Sequence, residues 1–214
     1  MGRFLKGILG GFSGKVGNVV GACIRGVDYM RSLPRKSTKP PTEAQLKQRT
    51  TFGLVVTFLR PITALINVGY QSYKGKETPM NAATSYHLEK AVMGVYPNLS
   101  INYPKVLISK GTLLRVANAE VVTAAGTSEI EFNWTNNAAV GSTNGTDKAT
   151  FMVYSDQMDE YVVLSSAVPR SAETFALVVP LDFIGQEVHC WMSFVRADGK
   201  QVSDSKYVAK IRVL

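Results

Sequence analysis

The run SEIEFNW, residues 128–134, alternates strictly, with Ile130, Phe132 and Trp134 on one side and Glu129, Glu131 and Asn133 on the other. Successive side chains of a strand point to opposite faces, so this pattern predicts a half-buried antiparallel strand with Trp134 turned into a core. The same period recurs downstream, in Phe175, Leu177 and Val179 and again in Val188, Cys190, Met192 and Phe194. By that period His189 and Trp191 face away from Cys190. His189 is therefore expected at a surface or edge and outside any catalytic triad.

Further β-like runs surround these: Lys105 to Ser109, Glu120 to Thr123, Lys148 to Tyr154, Glu160 to Leu164, Thr174 to Val179, Glu187 to Val195 and Tyr207 to Val213. Asn144-Gly145 and Asp198-Gly199 supply turn signals, and Ser203-Asp204-Ser205 reads as turn chemistry before the last strand. Many short strands at this spacing predict an immunoglobulin- or fibronectin-like β-sandwich over residues 101–214.

Upstream the texture differs. Gly10, Gly11, Gly14, Gly17 and Gly21 stud the start, and Val19 to Leu33 reads as two short strands about Arg25-Gly26-Val27. An isolated hairpin is marginal, so it needs a surface or a partner strand. The basic connector PRKSTKPP, residues 34–41, is extended by its prolines. Thr42-Glu43-Ala44-Gln45 then fits a capping box. Leu46, Phe52, Val55, Val56, Leu59, Ile62, Leu65, Ile66 and Gly69 follow at helical spacing, with Pro61 expected to kink or split the helix near Phe58. A second helix is expected from Ala82 to Met93, capped by Asn81. The expected fold class is thus α+β: residues 1–100 as a glycine-rich basic arm with hairpin and helices, residues 101–214 as the sandwich.

The charge of +8 is unevenly placed: residues 1–100 hold 14 Lys/Arg against 4 Asp/Glu, and residues 101–214 hold 10 against 12. A basic half of this kind suits an acidic partner, whether nucleic acid, an anionic surface or a protein. The candidate docking residues are Arg25, Arg31, Arg35, Lys36, Lys39, Lys47 and Arg49.

Catalytic signatures are weak. Gly14-Lys15 suggests a phosphate loop, but Leu9 and Val16 stand where that motif requires Gly and Ser or Thr. His87 and His189 are the two histidines, one in each expected half, and Cys23 and Cys190 have no metal-ligand spacing. Both cysteines lie in apolar runs and are expected buried. Carboxylate pairs such as Asp159-Glu160 or Glu129 and Glu131 fall on expected solvated edges. No catalytic residue, cofactor, metal or small-molecule substrate is expected. Nor is there a signal-peptide pattern or a run of apolar residues long enough to span a membrane, so a virion or cytoplasmic location is expected.

GILGGFSGKVGNVVG, DYMRSLP, PPTEAQLKQRTTF and the late SDSKY resemble an uncharacterised family of proteins from Bacteroidetes and their phages and prophages, a domain of unknown function. The resemblance covers the whole chain and carries no assigned activity. It implies a small protein of the mobile-element or surface-assembly world. The reading that follows is a non-enzymatic structural or interaction protein, a virion or similar assembly component docking through its basic arm, in a homo-oligomer or larger assembly. The alternatives are a nucleic-acid-binding protein without sequence preference, in which Tyr29 or Phe52 stacks on bases, and a host cell-surface or adhesion protein.

Overall fold

The computed structural model describes residues 3–4, 10–24, 26–35, 38–73, 77–124, 126–140 and 142–214. The chain divides into two compact units, Met1–Thr42 and Glu43–Leu214.

In the first unit, β1 (Arg3–Phe4), β2 (Phe12–Val16), β3 (Val19–Ile24) and β4 (Val27–Ser32) form an antiparallel meander in chain order. The expected hairpin is present, with Val20 opposite Arg31 and Ala22 opposite Tyr29. β2 adds to it through a tight turn at Gly17, whose φ of 55° a side chain rarely adopts. Residues 5–9 of the glycine-studded start, like Arg25 and Lys36, lie outside the described residues. Cys23, expected buried, is exposed, because within its own unit the meander is a single layer.

The second unit begins with α1 (Glu43–Leu59), directly after Thr42, where the capping box places it. α2 (Thr63–Gly69) follows Pro61 at a bend of 88°, the split that proline requires. α3 (Pro79–Lys90) starts earlier than Asn81: the Thr78 hydroxyl accepts from the Asn81 N–H at 3.2 Å, and Pro79 sits at the first turn, where its missing N–H costs nothing. A hairpin of β5 (Val92–Val95) and β6 (Asn98–Ile101) leads to β7 (Ala117–Thr123), β8 (Glu129–Thr135), β9 (Lys148–Ser155), β10 (Glu160–Leu164), β11 (Thr174–Val178), β12 (Glu187–Val195) and β13 (Lys206–Arg212). Lys105 to Ser109 is not a strand. It is a turn followed by an irregular segment that buries Val106 and Ile108 and bonds sideways to Ser205.

The strands form two antiparallel sheets, β11-β8-β7 and β10-β9-β12-β13. The protein is mostly β-sheet, with three α-helices among the described residues. Between the sheets Ile130, Phe132 and Trp134 pack on Phe151, Val153, Cys190, Met192 and Phe194, as the alternation predicts. The other face of β9 and β12 is buried too. Met152, Tyr154 and Trp191 pack under Val55, Phe58, Leu59, Leu65 and Ile66 of α1 and α2 and Ala83 of α3. The helices therefore join the sandwich in one unit, and the compact boundary lies near residue 42, not near residue 100. No single helix among the described residues is long and apolar enough to cross a membrane.

His189 is 6% exposed, because the face it shares with Trp191 lies under that second core. Its ring stacks on Tyr103 at 4.0 Å, and Nδ1 shares a hydrogen bond with the Tyr207 hydroxyl at 2.9 Å. His87 is fully buried on α3. Its Nδ1 lies 2.7 Å from the Ala83 carbonyl, and the Leu107 N–H donates to Nε2 at 3.3 Å, which defines a neutral ring.

At one end of the sandwich the fully buried Arg170 guanidinium lies over the Phe194 ring at 3.7 Å. Its nitrogens donate to the carbonyls of Asn144, Leu114 and Arg115, to Asn137 Oδ1 at 2.8 Å and to Asp147 Oδ2 at 3.2 Å. Five acceptors match the five N–H bonds of a guanidinium. The Trp134 indole N–H donates to the Arg170 carbonyl at 2.8 Å, joining this centre to the core. Burial pushes the Asp147 carboxyl up and the guanidinium down, against their mutual attraction.

Two outcomes follow. Arg170→Ala strands a buried carboxylate and several carbonyls and should cost about 3–5 kcal/mol in urea unfolding. Arg170→Met combined with Asp147→Leu should cost less than Arg170→Met alone, since the stranded charge is removed. Burial pushes His189 from 6.5 down to about 4, so the unfolded chain binds the extra proton. The associated stability is present above pH 6.5 and is lost as the pH falls toward 4, up to about 3 kcal/mol. His189→Phe should flatten that part of the stability profile.

Candidate interaction surfaces

The predicted docking cations fall into two sets. Arg31 is exposed on β4, and the pairing register puts it in one cross-strand row with Val20 and Lys15. Tyr29 shares that face by the period of two. Arg35 and Lys39 are exposed in the connector. The second set, Lys47 and Arg49, is exposed on α1 of the other unit. Two residues apart on a helix, they point to different sides and make no common cation pair. The sequence reading missed Lys15, whose neighbour in space is set by strand register.

Apolar side chains accompany these cations without cover. Ile24, Val27 and Met30 of the meander are 57%, 68% and 71% exposed. In α1 every residue from Glu43 to Thr50 is exposed, and burial sets in only near Val55. That stretch of helix is about 12 Å long at 1.5 Å per residue. Leu46 and Phe52, which helical spacing assigned to the core face, remain 38% and 49% exposed. Periodicity identified the stripe, but only its second half has a surface to lie on.

Two concavities mark the Glu43–Leu214 unit. One, of about 220 Å³, is lined by Phe58, Tyr103 and Tyr154 together with Asp156 and Asp159. The Tyr103 hydroxyl donates to Asp156, and that of Tyr154 to Asp159 at 3.0 Å. Tyr161 donates to the Phe58 carbonyl at 2.9 Å. Burial pushes all three phenols up, and Tyr154 reaches about 12. They are donors and packing surfaces, not bases.

The larger concavity, of about 470 Å³, is lined by Tyr86, Leu107, Lys110, Arg115, Val116, Asp204, Ser205 and Lys206. It brings together one residue of α3, the irregular 107–116 segment and the approach to β13. Hydrogen bonds fix the segments to one another. The Ser109 hydroxyl donates to the Ser203 carbonyl at 2.7 Å, Ser205 N–H to the Ser109 carbonyl at 2.9 Å, and Gly111 N–H to Asp204 Oδ1 at 3.0 Å. A Cβ on Gly111 would lie 2.1 Å from the Val202 carbonyl oxygen, so the backbones meet there only through glycine. Sequence pattern singles out none of the lining cations. They are scattered over almost 100 positions, and the turn chemistry at Ser203–Ser205 was the one local signal. Among the described residues no group of three or more His, Cys, Asp or Glu is placed to hold a metal ion.

No curated protein matches the chain. Among solved structures it is similar to the solution structure of the fn3 domain of the human collagen alpha-1(XX) chain, at 11% identity and a TM-score of 0.35, over 47% of this chain and 84% of that one. The family of unknown function DUF6266 matches residues 11–209, which is most of the sequence, and the chain belongs to that family.

Proposed function

We propose that this protein is a non-enzymatic structural or interaction protein that enters a larger assembly, such as a phage virion, by docking through its basic N-terminal arm. The observation that carries the reading is the uncovered apolar side chains on the elements that bear the cations: Ile24 and Val27 on the Arg31 face of the meander, Met30 on its opposite face, and, in the other unit, Leu46 and Phe52 on α1. Such side chains gain about 25 cal/mol per Å² when a partner removes them from water. Among the described residues β4 is an edge strand of the meander, and an edge of this kind offers backbone groups to which a partner strand can add. The virion setting rests on the resemblance of the N-terminal motifs. The three-on-four strand order supports reading the sandwich as fibronectin-like, a scaffold that hosts many binding functions. Both histidines are engaged in packing and hydrogen bonds, which favours a structural role for each.

Light scattering after size exclusion should give a mass above the monomer for the full chain, and Val27→Lys with Met30→Lys should return it toward the monomer at unchanged melting temperature. A monomer at every concentration that also fails to bind virion fractions overturns the reading.

The row of Lys15, Val20 and Arg31, with Tyr29 on the same face, favours nucleic acid as a second reading. Phosphate contacts release counterions, so affinity for single-stranded DNA should fall steeply from low to moderate salt in an electrophoretic shift. Binding that is absent or insensitive to salt removes it.

A further inference from the structure

The cavity bounded by α3, the 107–116 segment and the approach to β13 holds three cations, Lys110, Arg115 and Lys206, and one carboxylate, Asp204. Both oxygens of that carboxylate are occupied: Oδ1 accepts from the Gly111 N–H, and Oδ2 pairs with Arg115. Lys110 has no ion pair among the described residues. Its ammonium lies 5.8 Å and 5.6 Å from the ring centroids of Tyr73 and Tyr86, which attract a cation without neutralising it. Glu89, the carboxylate of α3 that feels Lys110, is bonded to Lys90. Lys206 is half-buried and likewise without an ion pair among the described residues. The cavity therefore keeps a net charge of +2, in a region, residues 101–214, whose formal total is −2.

Ser205 adds a directed donor. Its Oγ accepts from the Ile108 N–H at 2.9 Å and the Ser109 N–H at 3.4 Å, so its own proton is left to donate. The walls are set before any ligand arrives, because Lys110 N–H donates to the Gly69 carbonyl at 2.9 Å and Leu113 N–H to the Val202 carbonyl at 3.0 Å. A volume of about 470 Å³ falls in the range of small-molecule sites and exceeds what a free ion fills.

We propose that this cavity binds an oxyanion, as a phosphate or carboxylate, carried on a small organic molecule of about monosaccharide size. Lys110 and Lys206 supply the charge, Ser205 a hydrogen bond, and the Tyr86 ring a wall for the organic part. The site uses none of the docking residues and stands whether or not the chain assembles.

Calorimetric titration of the full chain at low salt with inorganic phosphate, glucose 6-phosphate and glucuronate tests it. The two organic probes tell phosphate from carboxylate, and free phosphate reports the ion alone. Saturable binding of one organic probe, tighter than that of inorganic phosphate, is expected. Lys110→Ala and Lys206→Ala should each weaken it roughly tenfold, the effect of losing one charge-assisted hydrogen bond. Lys110→Arg should retain most of it, and Lys47→Ala with Arg49→Ala should leave it unchanged at equal melting temperature. No saturable binding of any probe overturns the proposal. So does equal weakening by the Lys47 and Arg49 substitutions, which would mean diffuse charge, or free phosphate binding as tightly as the organic probes, which would mean an adventitious ion only.

Discussion

Strands β9 and β12 have no solvated face. Every residue of β12 from Val188 to Val195 is buried, as is every residue of β9 from Ala149 to Ser155. A strand buried on both sides needs a layer above and a layer below, and the rest of the Glu43–Leu214 unit is arranged to provide them. The sheet of β11, β8 and β7 closes one side, and α1, α2 and α3 close the other. The helices are thus a layer of the same fold. His189 and Trp191 lie between layers because the strand that carries them does.

The two-sided sheet leaves its ends to be closed by loops, and Arg170 closes one of them. Its guanidinium collects the carbonyls of Leu114, Arg115 and Asn144 and the side chains of Asn137 and Asp147. Burying a charge is costly unless its bonds are all made, and here all five are. The same centre has a consequence across the segment it holds. By fixing the carbonyls at Leu114 and Arg115, it sets the backbone from which the Arg115 side chain reaches Asp204 at the rim of the larger cavity. The core and the candidate anion site are linked through that short stretch of main chain.

Local rules served well where the side chain's partner is a neighbour in sequence or the whole layer. The alternation of Ile130, Phe132 and Trp134 needs only that one face be buried. Pro61 splits the helix through its own ring and missing N–H, and Thr42 precedes the helix by the capping pattern. The same rules failed where a second layer intervened. His189 has the alternation of a surface residue and the burial of a core one. Lys105 to Ser109 has strand-like composition, yet the Ile108 and Ser109 N–H groups donate to Ser205 Oγ and the Ser109 hydroxyl donates to the Ser203 carbonyl, almost 100 residues away. Leu46 and Phe52 have core spacing and no core beneath them.

By itself the sequence determined most of the sandwich strands, the helix break, the inward face of the sandwich and the concentration of positive charge in the first half, because each depends on period, proline or composition. The tertiary structure alone decided that the helices share the sandwich's core, that the predicted cations divide between two units, and that Lys110, Arg115 and Lys206 meet around one cavity. Those facts depend on contacts between residues far apart in the chain, and no local pattern encodes which distant segments will lie side by side.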